Sequence, residues 1–291
     1  MNESVHYLSR RNFLASGAMA AGAIAIGRAG LAASEDQGAD IGGFKVGVQS
    51  YTFRDFTTEQ MLKRTQDLGL GWVEFYSKHA PPASSPAQIK ALLKLCSDYK
   101  VKPIAFGVHQ FTKDHEKNRK AFEFGKTLGI TTLSADPSPD SFDSLDKLVD
   151  EYNIAIAIHP HGPIGGGKLH RWYSAEIIMD AVKNHNPKIG ACLDTGHLIH
   201  SAQLGKHLDP AQQIRVMGAR NFGMHLKDYD NKKKTDVPFG QGELDVASVL
   251  KALKDVDFKG YIAIEYEANP KDPMADMTAC VKYLREVAKK A

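Results

Sequence analysis

The sequence predicts a single (β/α)8 barrel, and three observations carry that expectation. Strand-like and helix-like segments alternate eight times with none left over. Once an N-terminal export segment is set aside, about 255 of the 291 residues remain, close to the usual size of such a barrel. Four successive apolar runs also end on a His, Asp, His or Glu, at the strand ends where parallel barrels keep their chemistry. With 43% hydrophobic residues there is material for one large core, and no linker divides residues 34–291.

Taken in order, a strand is expected over 44–50. A helix follows Thr57, whose spacing to Gln60 makes a capping box, and stops at Gly69. Strand 72–76 precedes helix 86–99. Strand 103–108 ends at His109, and a charged helix fills 114–128. Strand 130–135 leads to helix 142–152. The fifth strand carries His159 and His161 and is followed by helix 174–184. The sixth, 188–193, ends at Asp194, and Asp209-Pro210 is an N-cap with Pro at the first helical position. His225 closes the seventh strand before helix 246–254. Glu265 closes the eighth, and Asp272-Pro273 opens the last helix.

Residues 1–33 read as a twin-arginine export signal. Arg10-Arg11 is followed by an Ala- and Gly-rich run, too short for a lasting membrane span of about 20 apolar residues, and then by the small residues Ala32-Ala33-Ser34. The mature protein is expected in the periplasm, without a membrane anchor. Export in the folded state suits a metal protein, because the cytoplasm then chooses the ion. Cys96, Cys192 and Cys280 are odd in number and sit in apolar segments, so they are read as buried thiols. The net charge of +3 includes Arg10, Arg11 and Arg28 and gives no case for a nucleic-acid or membrane partner. Oligomeric state has no signature in the chain.

The site is read from side-chain direction. Residues two apart on a strand share a face, so His159 pairs with His161, His225 with Lys227, and Glu265 with Glu267, while Ile158, Leu226 and Ile264 face the helices. Polar groups facing inward at four adjacent strand ends need a partner, and a cation is the usual one. His159, Asp194, His225 and Glu265 are the expected ligands of one divalent ion, Mn2+ first and Zn2+, Co2+ or Mg2+ as alternatives, with His161 beside or within the set. An ion chelated by a ketone oxygen and its neighbouring hydroxyl acidifies the α-hydrogen. Glu265 is the candidate base, Lys227 a candidate for the developing oxyanion, and His161 or His109 a proton source, an imidazole being near half-charged around neutral pH. A salt bridge to Asp228 is the plain alternative for Lys227, and a capping role for His109. Glu74, Gln49 and Tyr51 are candidates for the wall of a substrate pocket. Arg171 sits in the Gly165-Gly166-Gly167 loop after the fifth strand, read as a substrate lid. The Lys232-Lys233-Lys234 run is read as a solvated face.

The motifs IHPHG, CLDTGH, MHLKD, PFGQGELD and IEYE resemble those of the xylose-isomerase-like barrels, often labelled sugar phosphate isomerases/epimerases, over everything from about residue 44 onward. Ketose 3-epimerases of that group carry Glu, Asp, His and Glu on strands five to eight. The resemblance places those ligands on His159, Asp194, His225 and Glu265, and implies that His197 touches substrate. His159 departs from the pattern and removes one of two carboxylates. The run IHPHG, DTGH, HLKD is more similar to inosose dehydratases, which remove water from a keto-cyclitol. The resemblance thus implies an enolising enzyme on a carbohydrate, either lyase or isomerase/epimerase. Two other readings are weaker. An apurinic-site nuclease needs an Asp-x-His pair that is missing between His225 and Glu265, and a non-catalytic sugar-binding barrel would not need a full ligand set. No phosphate-binding turn follows strands seven and eight, so an unphosphorylated sugar is expected.

Overall fold

The computed structural model describes residues 40–290; the export segment, with Arg10 and Arg11, lies outside them. Eight parallel strands close into one barrel: β1 (Lys45–Gln49), β2 (Trp72–Phe75), β3 (Lys102–Phe111), β4 (Thr132–Pro137), β5 (Ala155–Ile158), β6 (Ile189–Asp194), β7 (Asn221–Leu226) and β8 (Tyr261–Ile264). Each pairs with its neighbours in sequence, and β8 returns to β1 with Lys45 opposite Tyr261. Around them run α1 (Thr58–Asp67), α2 (Pro86–Asp98), α3 (His115–Leu128), α4 (Phe142–Tyr152), α5 (Ala175–Val182), α6 (Thr195–His200), α7 (Pro210–Met217), α8 (Val246–Asp255) and α9 (Met274–Ala288). No helix among the described residues is long and apolar enough to cross a membrane.

Local chemistry explains the boundaries. Thr57 accepts the Gln60 N–H while the Gln60 side chain accepts the Thr57 N–H, and Ser85 and Gln88 repeat the arrangement ahead of Pro86. Asp114 and Asp209 cap α3 and α7, and Gly129 ends α3 in the left-handed region at φ 76°. The core lies between strands and helices, with the expected outward residues Ile158, Leu226 and Ile264 fully buried there. A smaller cluster, Ile104, Ala105, Ala157, Cys192, Tyr261 and Ala263, fills the barrel interior. All three cysteines are free and buried.

Three features differ from expectation. β3 continues past His109 to Phe111. A short helix, α6, starts directly after Asp194, which is its N-cap and accepts the His197 N–H at 2.8 Å. The loop read as a lid and the run read as a solvated face each lie in a hairpin. Pro163–Ile164 pairs with Lys168–Leu169 around the triple glycine, and Asp228–Asp230 pairs with Thr235–Val237 around the three lysines. Both hairpins are too short for periodicity to reveal.

Candidate metal centre

Alternation along the strands sets the site. β6 ends in Asp194 and β7 carries His225 in register with it, while His159 and Glu265 follow immediately on β5 and β8. Asp194 is fully buried, and His225, His159 and Glu265 are 1%, 2% and 7% exposed. One donor atom from each lies within 4.8 Å of all the others. His159 Nε2 stands 2.9 Å from His225 Nδ1 and 3.4 Å from Asp194 Oδ2. His225 Nδ1 is 3.2 Å from Glu265 Oε2 and 3.8 Å from Asp194 Oδ2. Ligands held at about 2.0–2.2 Å around a single ion lie roughly 3–3.6 Å from one another, so the residues fit a divalent cation. Asp194 Oδ2 supports the fit, because it is buried without a hydrogen bond.

Lys227 completes the cluster. Its ammonium is buried 2.9 Å from Glu265 Oε2, 3.3 Å from Asp194 Oδ2 and 2.5 Å from Glu267 Oε1. The alternative pairing with Asp228 does not occur, since Asp228 accepts the N–H groups of Gly240, Gly242 and Leu244 and so anchors the PFGQGELD loop. Gly196 makes room for the lysine: a Cβ there would lie 2.6 Å from Lys227 Cγ and Cδ, which gives the Gly of DTGH a steric reason.

Burial and charge oppose each other throughout. Burial would raise the Asp194 carboxyl, but Lys227, His197 and His159 hold it well below the usual range. Glu265 is likewise lowered against burial by Lys227 and His225. Burial would lower Lys227, yet Asp194, Glu265 and Glu267 raise it well above its ordinary value. His225 is raised against burial by its anionic neighbours; Cys192 is itself pushed up by burial and stays a neutral thiol, so Glu74 and Glu265 carry that effect. The outer imidazoles go the other way. Burial lowers His197 and His109, and burial together with His159 and His170 lowers His161 to about 3. The expectation of a half-charged imidazole at His161 or His109 is therefore corrected: burial lowers both below the ordinary imidazole value, His161 by far.

A cavity of about 390 Å3 opens above the cluster. Its inner end is polar, with Gln49, His159, His161, His197, Glu265 and Glu267. Its outer wall is apolar, made by Tyr51, Tyr76, Pro82, Phe106 and Val108, with His109 at the boundary. Gln49, His109, His161 and His197, four of the expected substrate contacts, thus line this cavity. Two expected substrate contacts lie elsewhere. Glu74 is fully buried below His225, with its Oε2 2.8 Å from His225 Nε2. Arg171 binds Asp136 at 2.7 Å, beside His170, and does not line the cavity. Strand alternation marks Glu74 as inward-facing but is silent on depth, and the partner of Arg171 arrives from β4. Tyr51 lines the wall as expected, whereas Tyr76, Pro82, Phe106, Val108 and the role of Glu267 have no place in the sequence reading, although Glu267 shares a face with Glu265 and that alternation is a usable signal.

Comparisons with known proteins agree with this architecture. "Inosose dehydratase 2" of Bacillus cereus is 27% identical over 169 residues, 51% of this chain and 53% of that protein. An inosose dehydratase of Klebsiella pneumoniae is 25% identical over 167 residues, 51% of this chain and 54% of its own. The chain thus spans about half the length of the curated relatives it matches. Among solved structures, an uncharacterized protein from Parabacteroides distasonis superposes with a TM-score of 0.65 at 28% identity, over 84% of this chain and 98% of the other. A D-psicose 3-epimerase from Clostridium cellulolyticum H10, solved with D-tagatose, gives 0.66 at 15% identity, over 84% and 99%, and shows the shared fold alone. The profile of one family matches residues 62–287, most of the chain, and by that match the protein belongs to the xylose isomerase-like TIM barrel family.

Proposed function

We propose that this protein is a divalent-metal-dependent enolising enzyme acting on a keto-sugar, with β-elimination from a keto-glycoside or dehydration of a keto-sugar as the reaction. The convergence of His159, Asp194, His225 and Glu265 within 4.8 Å carries the reading. A bound divalent ion, Mn2+ first among the candidates, supplies Lewis acidity to the carbonyl and neighbouring hydroxyl of the substrate. The names of the inosose dehydratase relatives support an elimination, and the ketose epimerases of the same fold keep isomerisation or epimerisation as the second reading.

The chain's own residues divide the work. Glu265 is ionised, lines the cavity and is positioned to accept the α-proton. Lys227 stays charged and sets its ammonium against the oxyanion that develops. His161, an uncharged imidazole, donates a hydrogen bond to the β-oxygen, which departs with the proton that Glu265 took from the α-carbon. Gln49, His109 and His197 line the cavity around the sugar. With His159 in place of a carboxylate, one carboxylate ligand on this face moves protons, whereas epimerisation needs a proton delivered to the opposite face. Elimination avoids that demand.

The test is incubation with Mn2+ and either 3-keto-glycosides or free ketoses in D2O. Release of the aglycone with an unsaturated product is expected. Deuterium in a ketose of inverted configuration, with no unsaturated product, would instead assign epimerisation. The twin-arginine reading of Arg10-Arg11 supports a periplasmic location, where glycosides are more abundant than phosphosugars. Normal export of an Arg10→Lys, Arg11→Lys chain would refute it.

A further inference from the structure

Below the four converging donors lies a second polar cell that solvent does not reach. Glu74 on β2, Ser134 on β4 and Cys192 on β6 are fully buried, and Tyr261 on β8 is 2% exposed. Glu74 Oε2 accepts the Tyr261 hydroxyl at 2.7 Å and faces His225 Nε2 at 2.8 Å, while Oε1 accepts the Ser134 hydroxyl. The Tyr261 hydroxyl also lies 3.7 Å from Cys192 Sγ. Gly223 is what admits this tyrosine, since a Cβ there would stand 2.8 Å from its ring and 2.9 Å from Cys192 Sγ. A carboxylate in such a place is costly unless its lone pairs are taken, and here three donors converge on it.

We propose that Glu74 is the positioning residue of the metal centre: by accepting the Nε2 proton of His225 it fixes the ring so that Nδ1 alone faces Asp194, His159 and Glu265, and the cation is ligated through His225 Nδ1. This rests on the metal reading given above. The competing arrangement is a cation under the ring, because Glu74, Cys192 and His225 also offer donors within 4.8 Å of one another. One observation favours the upper position: both oxygens of Glu74 already accept hydrogen bonds, whereas Asp194 Oδ2 above the ring accepts none. A carboxylate behind a ligating imidazole orients the ring and strengthens it as a ligand, and losing such a partner costs roughly 10–100-fold in metal affinity.

The experiment uses the whole protein with 15N-labelled histidine and Zn2+ as a diamagnetic probe, together with calorimetric titration of Zn2+ and Mn2+. In the wild type the Nδ1 resonance of His225 is expected to move on Zn2+ addition while Nε2 keeps its proton. Glu74→Gln should weaken binding of both ions by about 10–100-fold. Tyr261→Phe, which removes one donor to Glu74 but leaves the acid, should weaken it less, and it serves if Glu74→Gln does not fold. Metallation at Nε2, or unchanged affinity in Glu74→Gln, overturns the proposal. If the wild type takes up neither ion, the metal reading falls separately. The Nε2 proton signal of His225 in metal-free protein, expected in the wild type and displaced in Glu74→Gln, still decides whether Glu74 holds the ring.

Discussion

The two halves of the barrel contribute unlike things. β5 to β8 and the residues just after them supply His159, Asp194, His225, Lys227 and Glu265, the charged and imidazole groups of the cluster. β1 to β4 and the segments after them supply the apolar wall of Tyr51, Tyr76, Phe106 and Val108, and from below the single carboxylate Glu74 behind His225. On the reading proposed above, the second half would set the reaction, and the first half how the four donors are held and what shape of substrate enters. Because the strands are parallel and closed, both contributions reach the same end of the barrel although they lie up to about 200 residues apart in the chain.

That division can be broken most directly at Asp194. Asp194→Ala is expected to abolish metal binding and activity in a folded barrel. It should also lose about 1 kcal/mol of stability, because Asp194 Oδ1 caps α6. Asp194→Asn keeps a capping oxygen and removes the charge, so activity should vanish with little change in the melting temperature. Full metal occupancy in the Asn variant, measured by elemental analysis after dialysis, would show that the cluster is not the ligand set. A subtler contrast sets one residue of each half side by side. Glu265→Gln should lower kcat by about 10²–10⁴-fold, the usual worth of a positioned general base. Tyr51→Ala, in the exposed wall, should raise KM about three- to tenfold with kcat nearly unchanged, the worth of one aromatic contact. A kcat loss at Tyr51 equal to that at Glu265 would erase the distinction.

The same contrast explains how much could be read from the chain. The convergence of the four donors was legible, because one donor per strand end, each flanked by outward apolar residues such as Ile158 and Ile264, is a local pattern of period two. The eight units and most helix starts were legible for the same reason: Thr57 with Gln60, and Asp209 before Pro210, act through neighbours three residues away or fewer. What stayed hidden depends on partners distant in sequence. Glu74 finds His225 across 151 residues, Arg171 finds Asp136 across 35, and the neutral state of His161 is a property of depth that no spacing encodes. Lys227 was legible as inward-facing, but its choice of Asp194, Glu265 and Glu267 over adjacent Asp228 required the closed barrel.

The smallest expected effect lies at the seam between the halves. Asp136, at the end of β4, receives His170 and Arg171 from the hairpin loop that follows β5, and Trp172 beside them donates its indole N–H to Pro137 O at 3.0 Å. Burial would raise the Asp136 carboxyl, but His170 and Arg171 bring it down to about 2 from 3.8. A carboxylate lowered on folding adds stability that is fully present above its unfolded value and disappears as pH falls through the folded one. The contribution should therefore be complete above about pH 4 and fade toward pH 2, with about 2 kcal/mol as its upper size. Urea unfolding of wild type and Asp136→Asn should differ by up to that amount at pH 6, and the gap should narrow below pH 4. A gap constant from pH 6 to pH 3 would mean that packing, not charge, holds the loop. Arg171 is half-exposed, so Arg171→Ala should cost less than about 1 kcal/mol and leave KM unchanged. If instead it raised KM tenfold at constant stability, Arg171 would be a substrate contact, and the loop after β5 would leave the ion pair to close over the sugar.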